Sequence, residues 1–365
     1  MLSTKLSPLK SYSLPLPTEL ISQILQSPRL SKSDLARCCL VNHEFLLLAQ
    51  RQMYRAAYIC LPKISTPAFP QWLFSPSSHL LFRTLEGNVG LRRHVRKLSM
   101  KASNINTRDV PATLRLTSGS VSGVFRILIE MLPRLDSLKF DAETWQSVRS
   151  LVFSRRNQWK TVSISISTIF RQDQTWCDLP NLQELECHGF REKETMDISI
   201  PSSLQVLRIN KNDPQILKGS PNSQLRILHV VGSPETLGNI GDFPELQHLH
   251  IFRGLECQPL LPSSAFSAFS QLSHLRSLSL ALWSVGDPIL SATLPSLLAH
   301  LPRSLDRLDF PERTPIEILS TYFQTSIFRP FRCLGYSRNK YQDETETIAQ
   351  LVNLAFSKGV GLECL

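Results

Sequence analysis

A chain of 365 residues with 42% hydrophobic and 19% charged side chains exceeds one compact core, so two domains or an elongated repeat architecture is expected and a largely disordered polymer is excluded. The 40 Lys plus Arg against 30 Asp plus Glu leave a net charge of +10, yet the basic residues are scattered, densest in "LRRHVRKLSMK" (91–101), which reads as solvated surface rather than a nucleic-acid site. The eight cysteines show neither a CxxC pair nor zinc spacing, so free thiols in a reducing compartment, and no metal, are expected.

Residues 1–13, "MLSTKLSPLKSYS", read as a flexible tail without the continuous apolar core of a signal peptide, and no window nears the ~18 apolar residues of a membrane span. A cytoplasmic or nuclear location without membrane contact follows. In "LPLPTELISQILQ" (14–26), Pro17 suits a first helical turn, where no amide donor is needed, and Leu20, Ile21, Ile24 and Leu25 recur on one face. A second helix is expected near "SKSDLARCCLV", capped by Ser33, with Leu35, Cys38 and Cys39 in a stripe. A third starts at Asn42 and runs through Phe45, Leu48, Ala49 and Met53 to "YRAAYI", with Leu46 and Leu47 widening its apolar surface. A unit of about 45 residues without disulfide or metal is marginal alone, so its surplus apolar side chains should seek another protein or the remainder of this chain.

Leu16, Pro17, Glu19, Leu20, Ile24, Leu25, Asp34, Leu35, Leu40, Val41, Phe45, Ala49, Tyr54 and Arg55 keep the register of a known pattern. That pattern runs Leu-Pro-x-Glu-Leu leading to Ile-Leu, then Asp-Leu, then Leu-Val-x-x-x-Phe, and closes on Leu-Tyr-Arg. The segment 14–58 thus resembles the F-box, departing from it mildly at Asn42, His43 and Met53. The resemblance implies docking onto a Skp-type adaptor, which bridges to the cullin and RING subunits of a ubiquitin ligase, and no chemistry within the helices themselves. It carries over Leu16, Pro17, Leu20, Ile24, Leu25, Leu40, Val41 and Phe45 as adaptor contacts or their immediate support, without separating the two groups. On this reading residues 14–60 form an F-box-like helical domain.

The remainder, 61–365, is dominated by a repeat. Leu-x-x-Leu-x-apolar appears at 135, 182, 204, 225, 246, 275 and 305, with looser copies at 95, 159 and 331. Successive starts from 135 to 331 differ by 24, 23, 22, 21, 21, 29, 30 and 26 residues, close to the period of about 20 to 29 of a leucine-rich repeat. The pattern resembles that family, although the asparagine usual after the strand is mostly missing. An α/β fold follows: a curved solenoid with a parallel sheet on its concave face, a polar loop near 103–123, and an amphipathic helix near 343–358 as the C-terminal cap. A doubly wound sheet is the structural rival, but a fixed signature at nearly constant spacing is hard to obtain that way.

Because strand side chains alternate, residues flanking the inner apolar pair of each copy should face outward. Glu186, Arg208, His229 and His250 would then form a contiguous strip, with Phe252 as an aromatic anchor, and this strip is the expected target-binding patch. The plain alternative is solvent-facing residues with Glu186 and Arg208 paired to each other. "HLH" (248–250) has no nearby cysteine and is a weak metal signal. "GVG" (359–361) follows a helix, the reverse of a dinucleotide loop, and no nucleophile elbow is present. No cofactor and no catalysis are therefore expected. The leading reading is a substrate-recognition subunit of an SCF-type ubiquitin ligase that binds a protein target. Its rivals are an F-box and repeat scaffold acting outside ubiquitination, and a basic repeat protein binding nucleic acid through Lys97, Lys101 and Lys139.

Overall fold

The computed structural model describes residues 16–65, 70–72, 74–104, 120–165, 178–188, 201–209, 224–232, 240–253, 267–281, 298–313, 316–324, 331–337 and 345–364. The tail 1–13 and most of the loop expected near 103–123 lie outside them.

Three helices open the described chain: α1 (Thr18–Leu25), α2 (Lys32–Cys38) and α3 (His43–Met53). The cap of α2 is Ser31 rather than Ser33. Its hydroxyl accepts from the Asp34 amide while the Asp34 carboxylate accepts from the Ser31 amide at 3.0 Å, a reciprocal box that sets the helix start two residues earlier than expected. Asn42 caps α3 as expected, accepting from the Phe45 amide at 2.9 Å. The three helices enclose a small core of Ile21, Leu25, Leu35 and Ala49, with Leu30, Phe45, Leu48 and Met53 packed around it.

The third helix stops at Met53, and "AAYICLPKIS" is a strand, not a helical continuation. Its period is two: Ala57, Ile59 and Leu61 are buried while Tyr58 is exposed. This strand, β1 (Ala56–Ser65), begins a sheet continued by β2 (Pro70–Trp72), β3 (Lys97–Asn104), β4 (Ser137–Asp141), β5 (Thr161–Ser165), β6 (Glu184–His188) and β7 (Val206–Ile209). β8 (Ile227–Gly232), β9 (His248–Arg253), β10 (Ser277–Ala281), β11 (Arg307–Arg313), β12 (Cys333–Ser337) and β13 (Gly361–Cys364) complete it. Every copy of the signature supplies a strand that starts two residues after its first apolar position.

Apart from β2, which lies antiparallel on the outer edge of β1, the strands are parallel and stand side by side in sequence order. A doubly wound sheet would reverse its order at an internal switch point; this one never does. The arrangement is that of a leucine-rich-repeat-like solenoid. The joints between copies are uniform. Arg96 and Lys97 donate consecutive amides to the Arg55 carbonyl, Asp136 and Ser137 to that of Arg96, Lys160 and Thr161 to that of Asp136, and the pattern persists to Arg332 and Cys333 on Asp306.

One face of the sheet closes over a continuous apolar core that runs from Ala57 to Val360. The signature leucines Leu138, Leu185, Leu207, Leu228, Leu249, Leu278 and Leu308 all point into it. Behind the early strands lie α4 (Pro76–Gly87), α5 (Val89–Arg92), α6 (Val121–Met131) and α7 (Ala142–Ser154). The apolar stripe Val121, Val124, Phe125 and Leu128 of α6 is buried, and Phe125 meets the Phe140 ring edge-on at 5.5 Å. Trp159 is fully buried with its indole N–H donating to the Val152 carbonyl at 2.8 Å, so its single polar atom is satisfied.

Near the C-terminus come α8 (Ile316–Gln324) and α9 (Thr345–Ser357). The latter is the amphipathic helix expected near 343–358, but it is followed by a further strand, β13, paired to β12. Gly359 makes the turn between them at φ 73°, with the Val360 amide returning to the Ala355 carbonyl. The left-handed conformation suits glycine and closes the helix.

Candidate interaction surfaces

Two surfaces of different chemistry emerge. The first is on the three-helix unit. Along α1 the apolar residues split by depth: Ile21 and Leu25 are buried, whereas Leu20 and Ile24 are exposed, the latter at 56%. Leu16 precedes the helix and is exposed, as is Pro17; in the turn between α2 and α3, Leu40 is 86% exposed and Val41 also faces outward. The Thr18 hydroxyl at the start of α1 donates to the Glu44 carboxylate at the start of α3. That bond brings the segment containing Leu16 and Pro17 to the same end of the unit as Leu40 and Val41, which immediately precede the Asn42 cap. Of the residues expected at an adaptor interface, Leu25 has no surface to offer and Phe45 is half-buried against the small core. Those two support the others. Leu47, at 53% exposure, adds an outward apolar side chain on α3.

The second surface is the face of the sheet opposite the core. Strand pairing aligns Lys139 with Ser163, Ser163 with Glu186, Glu186 with Arg208, Arg208 with His229, and His229 with His250. The strip Glu186, Arg208, His229, His250 is therefore contiguous. It continues through Ser279, Asp309 and Gly335 to Glu363. The backbone of Phe252 lies on β9 opposite Val231 and Ala281, while its side chain is outside the described residues.

Partners within the strip differ from the simple alternative of a Glu186 to Arg208 pair. Arg208 forms its ion pair with Glu184, its diagonal neighbour on β6. Glu186 accepts a hydrogen bond of 2.7 Å from the buried Ser163 hydroxyl. The His229 and His250 rings stack with centroids 5.1 Å apart and planes 24° from parallel. Burial chiefly, with His250 and Arg208 adding to it, pushes His229 down to about 4, and burial also lowers His250 against an opposing pull from Asp309. Both imidazoles are thus biased towards the neutral form, making a flat, half-buried plate between the Glu184/Arg208 pair and Asp309. Such a plate can stack on a planar group and exchange hydrogen bonds without contributing net charge.

Sequence reasoning missed the element that closes the strip. Glu363 on β13 accepts from Arg307 at 2.6 Å, and Arg307 also donates to Asp309 at 2.8 Å, so one guanidinium bridges two carboxylates across three strands. β13 lacks the leucine signature, and only the strand order places Glu363 there. Among the described residues no group of three His, Cys, Asp or Glu side chains is arranged to hold a metal ion, and no helix is long and apolar enough to cross a membrane.

No family model matches the chain, nor does any curated protein. Among solved structures, a leucine-rich-repeat protein of Leptospira interrogans is similar over 65% of this chain and 73% of its own, at 16% identity and a TM-score of 0.25.

Proposed function

We propose that the chain is the substrate-receptor subunit of an SCF-type ubiquitin ligase. The three helices dock a Skp-type adaptor, through which cullin and RING subunits follow, and the open sheet face holds a protein target. One observation carries this reading: Leu16, Leu20, Ile24, Leu40 and Val41 stay exposed on a unit whose own core is already closed by Ile21, Leu25, Leu35 and Ala49. Fully burying a side chain of this kind is worth about 1.5 to 3 kcal/mol, so a partner that covers several of them gains substantially. Their position in an F-box-like register indicates which partner. Catalysis is then by proximity, since a target held beside a charged conjugating enzyme needs no catalytic group on the receptor.

The test is co-purification of the full chain with a Skp-type adaptor. The wild type is expected to form a stoichiometric complex, and Leu20→Ser with Ile24→Ser and Leu40→Ser to lose it while keeping the same circular dichroism. Failure of the wild type to bind, or full binding by the triple variant, overturns the proposal. Adaptor binding without ubiquitin transfer to any captured protein points instead to a scaffold outside ubiquitination. On the target side, Arg208→Ala combined with His250→Ala is expected to abolish capture of the target while leaving the adaptor bound; unchanged capture removes the strip from the interface.

A further inference from the structure

Where the helical unit meets the first repeats, α1, α3 and the starts of β1, β3 and β4 enclose a cleft of about 400 Å³. Its walls carry Arg51, Arg55, Arg93, Arg96 and Arg134 together with His94, and none of its lining residues is a carboxylate. These cations come from three separate parts of the chain. Arg51 and Arg55 end the helical unit, Arg93 and Arg96 belong to the densest basic run of the sequence, and Arg134 precedes the next strand.

The uniform joints of the solenoid force the convergence. The Arg55 carbonyl accepts the Arg96 amide at 2.9 Å, and the Arg96 carbonyl accepts the Asp136 amide at 3.0 Å, so Arg55 and Arg96 stand one strand spacing apart, about 4.8 Å. Arg96 also reaches the Arg134 carbonyl at 3.4 Å. Among the described residues only Arg96 pairs with a carboxylate, Asp136 at 3.6 Å; Arg51, Arg55, Arg93 and Arg134 form no ion pair. Nearby Arg92 shows what an arginine used structurally looks like, since its guanidinium is spent on the Leu85 carbonyl at 2.6 Å. Among the described residues, the cleft arginines other than Arg96 make no comparable commitment. His94 feels the field they create: burial, then Arg51, then Arg134, lower its affinity for a proton.

Several like charges held around a concave, partly desolvated space repel one another, and the cheapest relief is a bound anion. Guanidinium forks match phosphate oxygens in geometry, and the volume lies in the range of small-molecule sites rather than of a groove that tracks a polymer. Leu25 and Leu48 are the apolar residues of the lining, while Ser22, Gln26 and Gln52 supply neutral hydrogen-bonding groups beside the cations. We propose that this cleft binds a small anion carrying two or more phosphate groups, clamped by Arg51 and Arg55 from the helical unit and by Arg93, Arg96 and Arg134 from the repeats. The ligand then ties the orientation of the helical unit to the solenoid, so that a target on the sheet is held in a fixed direction relative to whatever the helices dock.

Tripolyphosphate is the probe. Titrated calorimetrically into the full chain at physiological salt, it is expected to bind saturably at one site and to raise the melting temperature. Arg51→Gln with Arg134→Gln is expected to weaken it by at least about tenfold, since a single charge-assisted hydrogen bond accounts for a change of that size. Arg93→Gln, in a turn outside the helices, gives a second reading should the double variant fold poorly. The proton resonances of the His94 ring are expected to report a raised pKa once the site is filled. Absence of saturable binding, or equal binding by the wild type and both variants, overturns the proposal. So does a short single-stranded RNA that binds through these arginines and is not displaced by tripolyphosphate, because the cleft would then belong to a nucleic-acid surface. Adaptor binding is measured in parallel on the same variants and is expected to persist, which separates this site from the docking surface.

Discussion

The helical unit and the solenoid spend their apolar residues in opposite ways. The solenoid drives nearly every signature leucine into one core and turns a polar, partly charge-paired face outward. The helical unit closes a core of four residues and leaves at least as many large apolar side chains in solvent. A repeat array gains stability from each added neighbour and can keep its surface for recognition. Three short helices have no such reserve, so on the proposed reading the apolar surface left outside them is where another molecule would supply the missing contacts.

The largest effect that should expose this contrast is Trp159→Ala. Removal of a fully buried indole that also satisfies the Val152 carbonyl is expected to cost about 3 to 5 kcal/mol, read as a lowered denaturation midpoint of the solenoid. Next comes a paired experiment on α1. Leu25→Ala should destabilise the helical unit by about 2 to 5 kcal/mol, whereas Ile24→Ala, one residue away, should stay within about 0.5 kcal/mol and act on adaptor binding instead. Equal stability losses at the two positions would erase the distinction between core and interface drawn above. Asn42→Ala should cost about 1 kcal/mol by removing the cap of α3, measured by the same melts.

The smallest effect concerns the strip. His229 is held down to about 4 from an ordinary 6.5, so the unfolded chain takes up a proton that the fold refuses. Its neutral packing therefore contributes fully above pH 6.5, and that contribution is lost as the pH falls from 6.5 towards 4. Melting curves across this window should show a shallower decline for His229→Gln than for the wild type; parallel curves would place the imidazole in water.

Ten strands were legible because one signature fixes both their position and their inward residues. β1, β2 and β13 were not. "AAYICL" lacks the spaced leucines and continues smoothly from an amphipathic helix, and "GLEC" is too short to show a period. Within the helices, periodicity marked Leu20, Ile21, Ile24 and Leu25 as one apolar face, but only packing divides that face into the two residues that close the core and the two that remain outside. The strip across β6 to β9 followed from strand alternation alone, while the choice of Glu184 over Glu186 by Arg208 is a diagonal contact that spacing does not encode. The arginine cleft was the least legible feature: its members lie up to 83 residues apart (134 minus 51), and nothing short of the fold unites them.

The joints between copies carry a last consequence. Where the signature starts lie 21 residues apart, at 225 and 246, the Gln247 amide meets the Arg226 carbonyl at 2.8 Å; where they lie 40 apart, at 95 and 135, the Asp136 amide meets the Arg96 carbonyl at 3.0 Å. Almost twice the chain passes between the second pair of joints, and the joint does not register it. Closing a longer excursion costs little entropy, since each doubling adds only about 0.6 kcal/mol. The molecule is thus a staircase with fixed treads and risers of unequal length: segments can be lengthened, replaced or grafted between copies while the column of side chains on the open face keeps its alignment.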